Sequence, residues 1–559
     1  MNLRTPFACS LALVLLTAPM SASATITIVN LDSPGEGFSD PTPAAPVGGN
    51  PGTTIGQQRL NVFNKAAQIW DAILGSPVTI VIAASFDPLF CNATSAVLGS
   101  AGPITVSASF PGAAFANTWY VGAEANRLAG TDLDPTNNDI GAQFNSSIGA
   151  AGCLTGRFWY YGYDGNEGNN IDLLPVLLHE FGHGLGFLTI TDDVTGNYFA
   201  GKPSIFDRFL KDDVSNKHWF EMTPAERVAS AINTTHLVWD GPSVTAAAPG
   251  RLGKRPHVVA SGAVVGDYIA GEGLIGPSLT TSGISGAVVL VNDGVGTTSD
   301  GCETPFTNAG VLAGKVALLD RSTCAMGTQA ANAQANGAIA VLIVNNASGP
   351  APPVRGTAPT VTIPVASLSQ SDGNLIRTAL GSGTVNVSIA LDPAHLAGAT
   401  NAGKVMMFAP NPGQSGSSVS HWDVAAFPNL LMEPAINPDL GQGVDLTFNA
   451  FYDIGWFPQL VSVGRGTDGA LAFSHRPNPS REGGTIQFRL PIEERVELAI
   501  YDIAGRRVAR LAQGTMDAGE HAIEWKRRDD AGHRVGPGVY MARFKAGGAE
   551  RTLHIVLID

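Results

Sequence analysis

Residues 179–183, His-Glu-Phe-Gly-His, constrain this chain more than any other stretch. The two histidines are four residues apart, so on a helix they share a face one turn from each other. Two imidazole nitrogens then reach one Zn²⁺, and Glu180 lies beside the metal to polarise a bound water and accept its proton. The surrounding IDLLPVLLHEFGHGLGF, residues 171–187, reads as that helix. Asp172 stands where an N-cap belongs, and Pro175 falls in the first turn, where its missing N–H does no harm. Gly182, Gly184 and Gly186 are costly in a helix unless it must end or pack tightly there. The bland alternative is a chance match on an ordinary amphipathic helix; the cap and the apolar flanks weigh against it.

Two histidines leave a catalytic zinc one protein ligand short. The pattern HExxHxxGxxH is kept as far as Gly186, but Thr189 stands where the third histidine belongs. Asp192 lies just beyond the helix at a spacing that needs a different turn. His218 and His236 sit in stretches that read as amphipathic surface, and Glu221 and Glu226 lack the second helical motif of a glutamate-ligand scheme. His421 is better placed: it opens HWDVAAFPNLLMEP, with Met432 eleven residues on.

HEFGHGLGF taken with SHWD…NLLMEP resembles the leishmanolysin-type metzincins, in which an enlarged segment separates the helix from an HW motif and an LM pair. The resemblance implies His179, His183 and His421 as metal ligands, Glu180 as the catalytic base and Met432 as the Met-turn residue beneath the imidazoles. It also implies an α+β zincin-like catalytic domain and a zinc endopeptidase acting on proteins or peptides. Tyr452 is the one tyrosine close after that turn that could assist, although packing beside Phe451 accounts for it better. Two readings compete: a non-hydrolytic, metal-binding adhesin-like surface protein, and an aminopeptidase.

At 559 residues the chain is too long for one compact domain and is expected to hold three or four. A net charge of −14 without a basic run argues against nucleic acid as a partner. Arg4, the apolar run after it and the small residues up to Ala24 read as an export signal over 1–24. No later stretch reaches the roughly twenty apolar residues of a membrane span, so the chain is expected to be secreted, with cell-surface attachment open. Cys9 leaves with the signal. Cys91, Cys153, Cys302 and Cys324 remain, an even set that suits an oxidising compartment. Three pairings exist, and domain order favours Cys91–Cys153 with Cys302–Cys324.

A catalytic domain is expected over 25–249, with 25–55 either a short propeptide or a decoration of the fold. Residues 57–74 carry Leu60, Phe63, Ala67, Trp70 and Leu74 at helical spacing, and VTIVIAASF after them suits a buried strand. DIGAQFNSSIG, from Asp139, is a candidate for the edge strand beside the cleft, where unsatisfied backbone groups would pair with substrate. Acidic loops at Asp132, Asp134, Asn137 and Asp139, and at Asp164, Asn166 and Asp172, offer oxygens to a Ca²⁺, though ordinary turns use the same residues.

From 250 to 395 the texture changes to short apolar runs, AVVLVND, GKVALLDR and GAIAVLIVNN, with an Ala-rich helix closed by Gly337. GCETPFTNAGVLAGKVALLDRSTCAMGTQAANAQANGAIAVLIVNN resembles a protease-associated (PA) domain, which implies an α/β insert serving as a lid or substrate-access module. The catalytic domain is then expected to resume over 396–458, followed by a linker over 459–475. From 476 to 559 the chain alternates in period two. NPSREGGTIQFRLP…VELAIYDIAGRRV…GVYMARF resembles the immunoglobulin-like modules ending many exported bacterial proteins, type IX sorting domains among them. That implies an all-β sandwich and contact with export or surface-anchoring machinery.

Overall fold

A computed structural model describes residues 26–74, 76–271, 275–354, 356, 358–437, 440–457, 473–490, 494–502, 506–517, 519–546 and 549–558. The expected signal, 1–24, and most of the expected linker lie outside them. The chain divides into two units, Met1–Phe457 and Pro458–Asp559.

The first unit opens with strand β1 (Ile26–Asn30), then helix α1 (Ile55–Ile73). Thr54 caps α1 by accepting the Gln57 amide, and the helix buries Val62, Phe63, Ala66, Ala67 and Trp70. Strand β2 (Ile80–Asp87) follows, then β3 (Gly99–Pro103), the short helix α2 (Gly122–Ala129) and β4 (Ile140–Asn145). The sheet order is β1-β2-β4-β3, with β2 parallel to β1 and β4, and β3 antiparallel to β4. The interior strands of this sheet are therefore β2 and β4, and its edges are β1 and β3. DIGAQFN supplies the inner strand because its apolar residues Ile140, Ala142 and Phe144 are all buried.

Helix α3 (Leu173–Gly184) packs on α1 and the sheet: Trp70 Nε1 donates to Leu178 O at 3.2 Å, and the Phe63 and Phe181 rings meet at 5.9 Å. Every residue from Leu173 to Gly182 is buried, as befits a helix apolar on all sides. Asp172 caps it through the Leu174 amide. Gly186, at φ +120°, turns the chain out of the helix, with Phe187 N–H on Gly182 O at 3.0 Å. Cys91 is bonded to Cys153, and Cys302 to Cys324.

A seven-stranded sheet fills the stretch between Lys254 and Leu396. The three strands at one end of it, Val316–Asp320, Ala340–Val344 and Val365–Leu368, run parallel and are buried almost throughout, hence the unbroken apolar runs. The two ends of this insert meet: Ala397 N–H donates to Gly253 O at 3.0 Å, and Gly253 N–H to Phe427 O at 2.7 Å. The chain returning from it forms a ladder. Trp239 and Met407 donate to Val405 O and Leu237 O, Phe408 to His421 O, and Asp423 to Met406 O. Helix α4 (Leu446–Ile454), capped by Asp445, closes the unit.

The second unit has a three-stranded sheet, with Gly484–Leu490 between Phe473–Arg476 and Gly519–Trp525, and a four-stranded sheet centred on Glu494–Asp502 and Gly538–Ala546. Ile486, Phe488 and Trp525 of one pack against Leu498, Ile500 and Phe544 of the other, giving an all-β sandwich.

Candidate metal centre

Helix α3 presents His179 and His183 on one face, and His421 arrives opposite them on the ladder left by the insert. The three Nε2 atoms form a triangle with sides of 3.2, 3.2 and 3.3 Å. Zn–N bonds of about 2.0–2.1 Å in tetrahedral array place nitrogens about 3.3 Å apart. Each Nδ1 lies against a backbone carbonyl: Leu431 O at 2.7 Å, Phe187 O at 2.8 Å and Ser417 O at 2.7 Å. A carbonyl only accepts, so each Nδ1 carries the proton and each Nε2 keeps a lone pair. Three lone pairs then converge with no hydrogen to share. That donor set fits a cation, and its chemistry, three neutral imidazoles, fits Zn²⁺. Burial keeps them neutral, lowering His179 to about 4 and His421 to about 3. His183 is driven well down by burial and then by the other two rings.

The carbonyl that orients His179 belongs to a tightly held turn. Leu431 N–H donates to Asp445 Oδ2 at 2.5 Å, and Asp445 Oδ1 takes the Thr447 amide and hydroxyl, so one part-buried carboxyl joins this turn to the start of α4. Trp422 N–H donates to Met432 O at 2.8 Å. Met432 is fully buried beneath α3: a Cβ at Gly182 would come within 2.7 Å of its Sδ. Thr189 has no part among the imidazoles. Its hydroxyl donates to the buried Asp207 at 2.6 Å, and its amide to Ser420 Oγ at 3.1 Å, which ties the loop after α3 to the residue before His421.

Glu180 is also buried, which pushes its carboxyl up to about 8, and the Ala101 amide donating to it works the other way. Ala101 lies in β3. The bonds Ile104 N–H to Asp139 O and Asn145 N–H to Leu98 O fix the pairing of β3 with β4. By antiparallel alternation, Gly99, Ala101 and Pro103 turn their backbone groups outward, away from the sheet. The open edge is thus GSAGP, a stretch whose composition signals a turn; only its place in the sheet reveals it.

The remaining candidates lie elsewhere. Asp192 caps its own turn through the Val194 and Thr195 amides. His218 contacts Glu221 and Asp240, His236 pairs with Asp213, and Glu226 caps Pro224–Ala231 and meets Lys217. Tyr452 stacks on Phe457 at 5.6 Å. Neither acidic loop gathers a Ca²⁺-like set among the described residues: Asp132, Asp134 and Asp139 accept from Asn126, Thr136, Asn137 and nearby amides, and Asp164 takes Tyr160. Asp172 divides its oxygens between Leu174 and Gln442. An acidic group that does converge among the described residues, Asp293, Asp300 and Glu303, lies in the insert, where Asp293 and Asp300 accept turn amides and Ser322.

Residues 284–376 match the family model described as PA domain, and residues 479–550 that of the FlgD Ig-like domain. Both matches leave the three imidazoles outside. A search of curated proteins returns no match. Among solved structures, BSAP, a zinc aminopeptidase from Bacillus subtilis, is 21% identical over 25% of this chain and 31% of that one, at a TM-score of 0.20. An aminopeptidase from Aneurinibacillus sp. strain AM-1 is 15% identical over 34% of this chain and 42% of its own, at 0.19. PorZ, a surface component of the type-IX secretion system of Porphyromonas gingivalis, is 22% identical over 16% and 12%, at 0.13. The chain spans less than half the length of each, and overlaps this small carry no argument about its activity. It is a multidomain protein holding a PA domain and a FlgD Ig-like domain.

Proposed function

We propose that this chain is a secreted zinc endopeptidase with a metzincin-like catalytic domain resembling the leishmanolysin type, into which the PA domain is inserted. The observation that carries the reading is the triangle of proton-free Nε2 atoms beside Glu180, next to an open strand edge. His179, His183 and His421 hold the zinc, with Met432 as the turn beneath them. The bound ion supplies the Lewis acidity that lowers the pKa of a water and polarises the scissile carbonyl. Glu180 takes the proton from that water and passes it to the leaving amine. Gly99 offers its N–H and C=O and Ala101 its C=O along β3, so a substrate strand lies antiparallel to it with backbone bonds independent of side chain. Pairing along a strand edge suits an internal bond of a longer chain, which favours an endopeptidase. Among the described residues no helix is long and apolar enough to cross a membrane, and two disulfides suit an extracellular setting. The C-terminal module then serves export or surface attachment.

The test is hydrolysis of casein and of aminoacyl reporters by the metal-loaded protein, with and without a chelator. Internal cleavage of casein that stops on chelation and returns with Zn²⁺ is expected. Cleavage that resists chelation removes the zinc, and release of single N-terminal residues alone replaces the endopeptidase by an aminopeptidase. Glu180→Gln is expected to keep its zinc while losing at least about 10²-fold in kcat. Retained activity excludes Glu180 as the base.

A further inference from the structure

A cavity of about 720 Å³ opens at the seam between the insert and the catalytic residues, and none of the three imidazoles lines it. That volume is in the range of sites that hold peptides and small ligands. Pro256, Ile269 and Val354 give its apolar wall on the insert side, and Met406, Ala426 and Phe427 the wall opposite. Its charged groups are unbalanced. Three carboxylates line it, Asp213 paired with the lining His236, Asp267 paired with His257 and Asp372 taking the Ser369 hydroxyl, against one guanidinium, Arg255, whose Nη atoms are committed to Asn401 and Asp392. Two lining residues carry buried polar atoms without a partner, the acceptor Asn437 Oδ1 and the donor Arg255 Nε.

The cavity is also joined to the metal centre. Asn437, 3% exposed, donates to Glu433 Oε2 at 2.9 Å, and Glu433 Oε1 takes the Leu430 amide at 2.8 Å, next to the Leu431 carbonyl that orients His179. Val424, also in the wall, follows His421 by three residues. At no more than about 3.6 Å per residue, it lies within about 11 Å of that ligand along the chain.

We propose that this cavity is an exosite for the substrate chain, taking an apolar segment that carries positive charge, some three or more residues from the bond cut. The inference rests on the peptidase reading for its substrate, and its occupant is one continuous peptide. The apolar walls take its side chains and the carboxylates its basic groups.

The test compares a six-residue quenched peptide around a bond mapped in casein with the same peptide extended by Leu-Lys-Leu-Lys or by Leu-Glu-Leu-Glu on either end. On the full-length zinc protein the lysine tail is expected to raise kcat/KM about tenfold through KM, and the glutamate tail is not. Ala351→Trp, filling the cavity from the insert side, and Asp372→Lys are each expected to bring the ratio of tailed to untailed kcat/KM towards one. Equal gains from both tails, or a ratio unmoved in both variants, overturns the exosite. If the wild type cuts neither peptide, the hydrolytic reading falls by itself. Fluorescence anisotropy of the labelled lysine tail on Glu180→Gln protein then still decides the cavity: binding lost on adding Ala351→Trp supports it, and no binding, or binding unchanged, removes it.

Discussion

Neutral imidazoles and a buried carboxyl meet at this site only because each side chain has its second atom tied down. A carbonyl behind every Nδ1 sets the tautomer, so no rearrangement of protons is needed before a metal is taken up. Burial raises Glu180 to about 8, and a dication within a few ångströms opposes that rise by favouring the carboxylate. The metal is thus expected to make Glu180 a base as well as to supply its water. Gly182 has little freedom here, because any Cβ meets the Met432 thioether at 2.7 Å and Trp70 at 3.7 Å. Gly182→Ala is expected to cost about 1–3 kcal/mol by overpacking and to weaken zinc binding in parallel, since the displaced methionine lies in the turn that orients His179. Met432→Leu in the same chain should recover part of both losses. The check is a double-mutant cycle on denaturant midpoint and zinc affinity; strict additivity would show that the two side chains do not share this space.

Among the elements, Asp445 links the turn 430–433 to helix α4, and the two halves of that link can be tested separately. Asp445→Asn disturbs the bond to Leu431, whereas Thr447→Val removes only a hydroxyl bond at the helix cap. Zinc affinity is expected to fall about 10–100-fold in the first and to stay near wild type in the second, as read by competition with a chromogenic chelator; equal losses would make Asp445 a cap and nothing more. In the C-terminal sandwich, His475 is buried with both ring nitrogens unpartnered, and burial lowers it to about 4. The folded module keeps the neutral ring while the unfolded chain protonates near 6.5. Its contribution is therefore whole above 6.5 and lost as pH falls from there towards 4. His475→Leu should flatten that part of the module's pH–stability curve, and an unchanged slope would assign the loss to other groups. Helix α3 could be read from its residues because its signals are local: Asp172, Pro175, the spaced histidines and Gly186. The edge strand could not. GSAGP has neither alternation nor β-branched residues, and it is a strand only because β4 lies beside it, while DIGAQFN looks the better edge and is drawn inside by its apolar face. His421 sits in no regular element either, and only its chemistry, a histidine before tryptophan and upstream of a methionine, marked it. Asp445 carried a local signal, as a cap before LTF, but its second bond is a matter of the fold.

At the scale of the first unit, the insert is held at a closed neck, and that neck is the frame of the third imidazole. Gly253 and Ala397 are hydrogen-bonded to each other, so a domain of over a hundred residues enters and leaves at one point without stretching the lobe that carries it. The returning chain then pairs with Leu237–Trp239 on one side and with His421–Asp423 on the other. His421 therefore cannot take its place until residues on both sides of the insert have come together, and ion binding should stabilise that joint as well as helix α3. A ligand present at 100 times its Kd stabilises the folded state by about 2.7 kcal/mol. Part of that stabilisation is expected at the amides of Trp239, Met407, Phe408 and Trp422, far in sequence from the HExxH helix. Hydrogen exchange on the full chain, metal-free and with Zn²⁺ restored, reads this directly. Protection should rise in α3 and at those four amides together, and His421→Ala should keep any gain in α3 while losing it along the ladder. If Zn²⁺ protects α3 alone in the wild type, His421 is not a ligand and the neck of the insert is independent of the metal.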